Sequence, residues 1–183
     1  RDELHGPLPV VARDVLQIGS PGFGMLMAAL GVGSVLAGLF LATHTGLRPG
    51  RTMLLGALGL ALFELVFVAG HRLAAPLPVS ILCLVGVGFS AICMTATANS
   101  AIQQRTPDEL RGRVMSVYVT VFSGSVPVGS LLAGAMARKW GVMAAFAIGA
   151  TLALLAAGGA ALALRRATRT EGDRPERSSH AGA

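Results

Sequence analysis

Glu64 is the only acid inside any long uncharged run of this 183-residue chain, about two-thirds of the way along Thr52–Gly70. In a lipid interior a charged carboxylate at mid-helix costs roughly 2.5–3.5 kcal/mol on insertion scales. A carboxyl at that place is therefore protonated, paired or turned toward water. Two roles fit. One is cyclic uptake and release of a proton, which makes Glu64 the proton-coupling candidate. The other is an interfacial residue reaching toward headgroups or toward Arg72, eight positions on.

A second set of polar residues repeats at helical spacing. Gly88, Ala91, Thr95 and Asn99 recur three and four apart, as do Ser116, Thr120, Ser123, Pro127, Ser130 and Gly134, so each set shares one helix face. Such faces turn toward partner helices or a water-filled cavity, not toward lipid. Packing through small residues accounts for most of these positions. Asn99 stands apart, because its amide needs partners at that depth. Thr95, Asn99, Thr120 and Ser123 are the candidate cavity wall. Pro127 removes one backbone hydrogen bond and is expected to kink its helix near Ser123. Gly24, Ala28, Gly31, Val35 and Gly38 form a further small-residue stripe, expected to make close helix contact only.

The segment RTPDELRGRV, Arg105–Val114, has the chemistry of a helix start. Thr106 fits an N-cap, Pro107 the first helical position, and Glu109 the last residue of a T-x-x-E capping box. Asp108 and Glu109 also lie where the helix dipole favours negative charge. Arg111 and Arg113 have no such role in the first two turns. They are expected to pair with acids on other elements or to meet anionic headgroups.

Other kinds of site find no support. His5, His44, His71 and His180 are scattered without metal-ligand spacing. Cys83 and Cys93 lie in one apolar run and read as small core residues. There is no P-loop, and no nucleophile, base and orienting residue suggest a triad. No metal, no cofactor and no enzyme activity are expected.

These residues are positioned by five charge-poor runs long enough to cross a bilayer, which takes about 20 apolar residues. They are Gly22–Thr43, Thr52–Gly70, Leu73–Ile102, Val114–Ala137 and Trp140–Leu164. Backbone polar groups in lipid must be satisfied internally, so the runs are helices; none alternates with period two as a barrel strand would. Pro76 and Pro78 place the start of the third helix near Val79, and His71–Arg72 and Arg138–Lys139 read as tight turns. A shorter apolar run, Gly6–Leu16, reads as the end of a helix whose beginning is missing. The chain thus divides into a truncated helix end at 1–16, a five-helix bundle at 17–164 and a polar, disordered tail at 165–183. Without an initiator Met or a signal-peptide n-region, it reads as part of something longer.

Composition agrees with a membrane bundle. Charged residues make up 13% of the chain, against roughly 25% in a soluble domain, and 53% are hydrophobic. The net charge of +6 has no basic face with interleaved aromatics, so nucleic acid is not an expected partner. Instead the bases segregate by loop. Arg48, Arg51, Arg105, Arg111, Arg113, Arg165, Arg166 and Arg169 fall on one side, and Arg13, Arg72, Arg138 and Lys139 on the other. The richer side, with the C-terminal tail, is expected to be cytoplasmic.

The run QQRTPDELRGRVMSVYVTVFSGSVPVGSLLAGAMA resembles the cytoplasmic loop and following helix of the major facilitator superfamily, in the enterobactin-exporter and macrolide-efflux branch. PLPVVARDVLQIGSPGFGMLMAALGVGSVLAG resembles the end of the seventh helix, the outer loop and the eighth helix there. LRPGR, Leu47–Arg51, is similar to the superfamily's G-x-x-x-D-R-x-G-R signature through Arg48, Gly50 and Arg51. Leu47 stands at the Asp position and Thr43 at the first Gly, which puts a gating ion pair in doubt.

The resemblance implies an all-α polytopic bundle, the C-terminal half of that fold, with five full spans and a truncated one. It implies a secondary active transporter of a bacterial inner membrane: a proton-driven antiporter exporting a small amphipathic molecule such as a siderophore or drug. The cavity wall would come from the second, third and fourth spans. Arg48, Arg51, Asp108, Glu109, Arg111 and Arg113 would form the cytoplasmic gate and loops. The partners would be the lipid bilayer, the missing N-terminal half and the small-molecule substrate. The rival reading is a non-transporting membrane scaffold assembled through small-residue faces.

Overall fold

The computed structural model describes residues 19–172 except 45, 74 and 75, with side chains from 24 to 162. It contains five helices: α1 (Gly19–Thr43), α2 (Pro49–Arg72), α3 (Leu77–Arg105), α4 (Asp108–Trp140) and α5 (Val142–Gly172). All five contain a stretch long and apolar enough to cross a membrane. The segment 1–16 and the end of the polar tail lie outside the described residues. The fifth helix runs beyond the expected end at Leu164 to Gly172. Between those points stand Ala, Arg, Thr and Glu with no proline, so nothing in the backbone stops the helix at the change from apolar to polar.

The connections are where the structure departs most from expectation. α2 starts on Pro49, whose missing N–H is one of the donors a helix start leaves unpaired anyway. For the same reason α3 tolerates Pro78 and begins at Leu77, two residues before Val79. His71 and Arg72 are the last turn of α2 and not a connection. Arg138, Lys139 and Trp140 likewise complete α4, with the Lys139 Nζ 4.9 Å from the centre of the Trp140 ring. The α4–α5 turn is Gly141 alone, at φ 85° and ψ 158°. That region is open in practice only to glycine. Gly141→Ala is expected to cost about 1–3 kcal/mol and to lower heat stability in detergent. α4 itself runs unbroken through Pro127.

Packing centres on α3, which lies against both α1 and α2; α5 packs on α2. The core is Leu26 and Ala29 of α1, Phe67 of α2, and Cys83 and Leu84 of α3, with Val142, Met143 and Phe146 of α5 against it. Both cysteines are buried free thiols, as their place in an apolar run suggests. Close approach depends on glycine. A Cβ on Gly56 would sit 2.9 Å from the Ser90 carbonyl oxygen, and one on Gly59 2.6 Å from the Ser90 hydroxyl. α1 presents Leu26, Ala29, Gly33 and Ala37 inward. The expected contact stripe Gly24–Ala28–Gly31–Val35–Gly38 faces outward instead, with open space around its three glycines. α4 has no buried residue and barely touches α3.

Candidate functional site

Two ends of the bundle can be told apart. At one, Phe67 of α2 meets Phe146 of α5, ring centres 5.9 Å apart, over the core. At the other, Pro49 and Gly50 at the start of α2, Arg105 at the end of α3 and Ala160 on α5 line one cleft. Arg48, Arg51, Arg105, Arg111 and Arg113 therefore gather at the second end, and Arg72, Arg138 and Lys139 belong to the first. Among the described residues, the alternation of loop charge read from sequence is thus a spatial segregation.

A polar ladder runs from inside α3 to this basic end. The Asn99 Oδ1 accepts a hydrogen bond from the Gln103 Nε2 at 3.1 Å. The Gln103 carbonyl accepts from the Arg111 Nε at 3.3 Å, and Arg111 forms an ion pair with Asp108. Asn99 thus finds its partner on its own helix. Arg111 pairs with an acid of its own helix, not with one on another element. Thr106, expected to cap α4, belongs to α3: its hydroxyl donates to the Ile102 carbonyl at 2.7 Å. Only Thr106 and Pro107 separate the two helices, and the cap position of α4 falls to Pro107, which has no side-chain donor or acceptor. The capping box therefore does not form, and Glu109 is exposed. Gln103 escaped the sequence reading because it looked like a loop residue, one place beyond the apolar run.

The double-mutant cycle Asn99→Leu with Gln103→Leu should give a small coupling energy. A hydrogen-bonded amide pair four residues apart on one helix is worth about 0.2–0.5 kcal/mol. Thermal melts of the four proteins in detergent would measure it. A coupling of zero would mean that the amide pair carries no stability.

The other candidates are dispersed. Thr95 is half-buried one turn before Asn99, and its hydroxyl donates to the Ala91 carbonyl at 2.8 Å. Thr120 and Ser123 lie exposed on α4, apart from the α3 pair. Arg48 and Arg51 are exposed; the Arg48 carbonyl accepts from the Arg51 and Thr52 amides, each at 3.0 Å. Arg113 is exposed on α4. Glu64 is half-buried on α2, one turn before Phe67. Antiparallel register against Phe146 puts it level with Gly149 and Ala150 of α5. Among the described residues no ion pair joins it to Arg72; eight residues of helix separate the two by about 12 Å, and Arg72 is exposed.

The cleft at the basic end has a volume of about 590 Å³. Its walls are Met53, Leu54, Ala57 and Leu60 of α2, Met94 and Ala101 of α3, and a row of α5 alanines. The cavity wall was expected from α2, α3 and α4; in this cleft α5 takes the place of α4. None of Glu64, Thr95, Asn99, Thr120 and Ser123 lines it.

A family model described as transmembrane secretion effector, within the major facilitator superfamily, matches residues 4–181. The chain belongs to this family. The match spans all five helices. A curated relative, the multidrug efflux pump Tap of Mycolicibacterium fortuitum, is 30% identical over 126 residues, covering 67% of this chain and 29% of the pump. The chain therefore spans less than a third of that relative's length. No solved structure matches it significantly. This family member is an all-helical, multi-pass membrane protein.

Proposed function

We propose that this chain is the C-terminal half of a secondary active exporter in a bacterial inner membrane. The observation that carries the reading is the family match across all five spanning helices, together with the likeness to a multidrug efflux pump. The cargo is a small amphipathic molecule, a drug or a siderophore, and the enterobactin-exporter and macrolide-efflux branch is the proposed placement. Efflux is driven by protons in antiport, with Glu64 as the coupling carboxylate. The end rich in arginine is cytoplasmic, as the bias of basic residues toward that side supports.

The N-terminal half of the same transporter is the proposed partner. It covers the exposed surface of α4 and the outward small-residue stripe of α1, and it closes the cavity around Thr95, Asn99, Thr120 and Ser123. In a fold whose halves rock about a central site, a largely exposed helix on one half is a surface awaiting the other. The ladder from Asn99 to Asp108 ties the end of α3 to the start of α4. With Arg48, Arg51, Glu109 and Arg113 it forms the cytoplasmic face of the gate.

The test is accumulation of siderophores and hydrophobic antibiotics in cells stripped of their own exporters, with and without the full-length protein. Lower accumulation of at least one compound is expected. Unchanged accumulation of every compound, with the protein present in the membrane, would favour the scaffold reading.

A further inference from the structure

We propose that the cleft between α2, α3 and α5 is a phospholipid site, in which an anionic diacyl lipid lays one acyl chain along the cleft with its phosphate at Arg105. The cleft extends along α2 from Pro49 to Leu60. Eleven residues of helix rise about 16 Å, and one leaflet of hydrocarbon is about 15 Å deep, half of the usual core. A chain entering at the basic end would thus be accompanied over the depth of its own leaflet.

The walls suit such a chain. Ala153, Ala156, Ala157 and Ala160 leave room on the α5 side, where larger residues would close the gap. Met53 and Met94 supply flexible thioethers that adapt to an irregular apolar guest. Arg105 is the single charged residue among the lining residues. It takes part in no ion pair among the described residues. A second hollow of about 360 Å³ adjoins the first, sharing Met53, Ala101 and Arg105 and adding Ala98, Ile102 and Thr106. One guanidinium common to two apolar hollows matches the form of a diacyl lipid, one phosphate joined to two chains. Arg48 and Arg51 flank the mouth at Pro49 and Gly50, so the surrounding charge also favours an anionic headgroup.

Photo-crosslinking of the full-length protein tests the assignment. It is reconstituted in phosphatidylcholine vesicles containing phosphatidylglycerol with a photoactivatable group in one acyl chain, or phosphatidylcholine carrying the same group. Crosslinked peptides are located by mass spectrometry. Residues 54–60 and 153–160 are expected to label about five-fold more with the glycerol probe, the factor equivalent to about 1 kcal/mol for one basic residue at an anionic surface. Arg105→Gln should remove that preference, and Arg105→Lys should keep part of it. Ala157→Phe, which fills the cleft, should abolish labelling there by both probes. Labelling elsewhere on each variant confirms that it is folded in the bilayer. Equal labelling of the cleft by the two probes, or a preference that survives Arg105→Gln, would overturn the proposal. So would a cleft left unlabelled while other helices react, which would assign it to a protein segment. Loss of label on adding an exported compound would overturn it too, in favour of a substrate path.

Discussion

Gly33→Val and Gly88→Val are each expected to prevent α1 from seating on α3 and to leave little monodisperse protein after mild heating in detergent. A Cβ on Gly88 would fall well inside contact distance of the Leu30 carbonyl oxygen, and one on Gly33 would do the same to that of Val85. The obstacle in both cases is backbone, which cannot rotate away as a side-chain tip can. The loss should reach or pass the upper end of the about 1–3 kcal/mol usual for overpacking. Gly31→Val provides the contrast, since nothing lies within 4 Å of a Cβ there. It should leave the packing of α1 on α3 intact. Wild-type heat stability in Gly88→Val would show that the α1–α3 contact is not the one described.

Glu64→Gln is expected to reduce proton-driven efflux to the level of cells lacking the protein, and to flatten what remains against pH. Glutamine keeps the size and hydrogen-bonding capacity of the side chain but has no proton to exchange. Glu64 is half-buried on α2, with no ion pair among the described residues, so no neighbouring cation fixes its charge. Glu64→Asp should retain part of the activity and its pH dependence. Efflux of Glu64→Gln with the pH profile of the wild type would assign the residue to the interfacial role.

The five spans were legible because an uncharged run of that length has few alternatives in lipid. Their boundaries were less so. Pro78 and the Arg138–Lys139 pair look like breaks in a hydropathy reading, yet a proline fits the first turn of a helix, and basic residues suit its last. The inward face of α1 was not legible at all. Every face of that helix is apolar, so no polar stripe marks the outside, and small residues occur both at Gly31 and at Gly33. Only the contact with Val85 and Phe89 shows that Gly33 is the one inside. Thr106 illustrates a different limit: a two-residue connection offers its hydroxyl to two helices, and the sequence pattern names only one of them. Glu64 was found as the lone acid of a span. The stretch of α5 level with it comes from more than eighty residues away, beyond the reach of local spacing.

Proton-driven export can be read most directly in everted membrane vesicles containing the full-length protein. An interior made acidic should drive uptake of a hydrophobic antibiotic into the vesicle, and a protonophore should abolish that uptake. Uptake that persists after the gradient is collapsed, or none in vesicles shown to contain the protein, would contradict a proton-driven exporter.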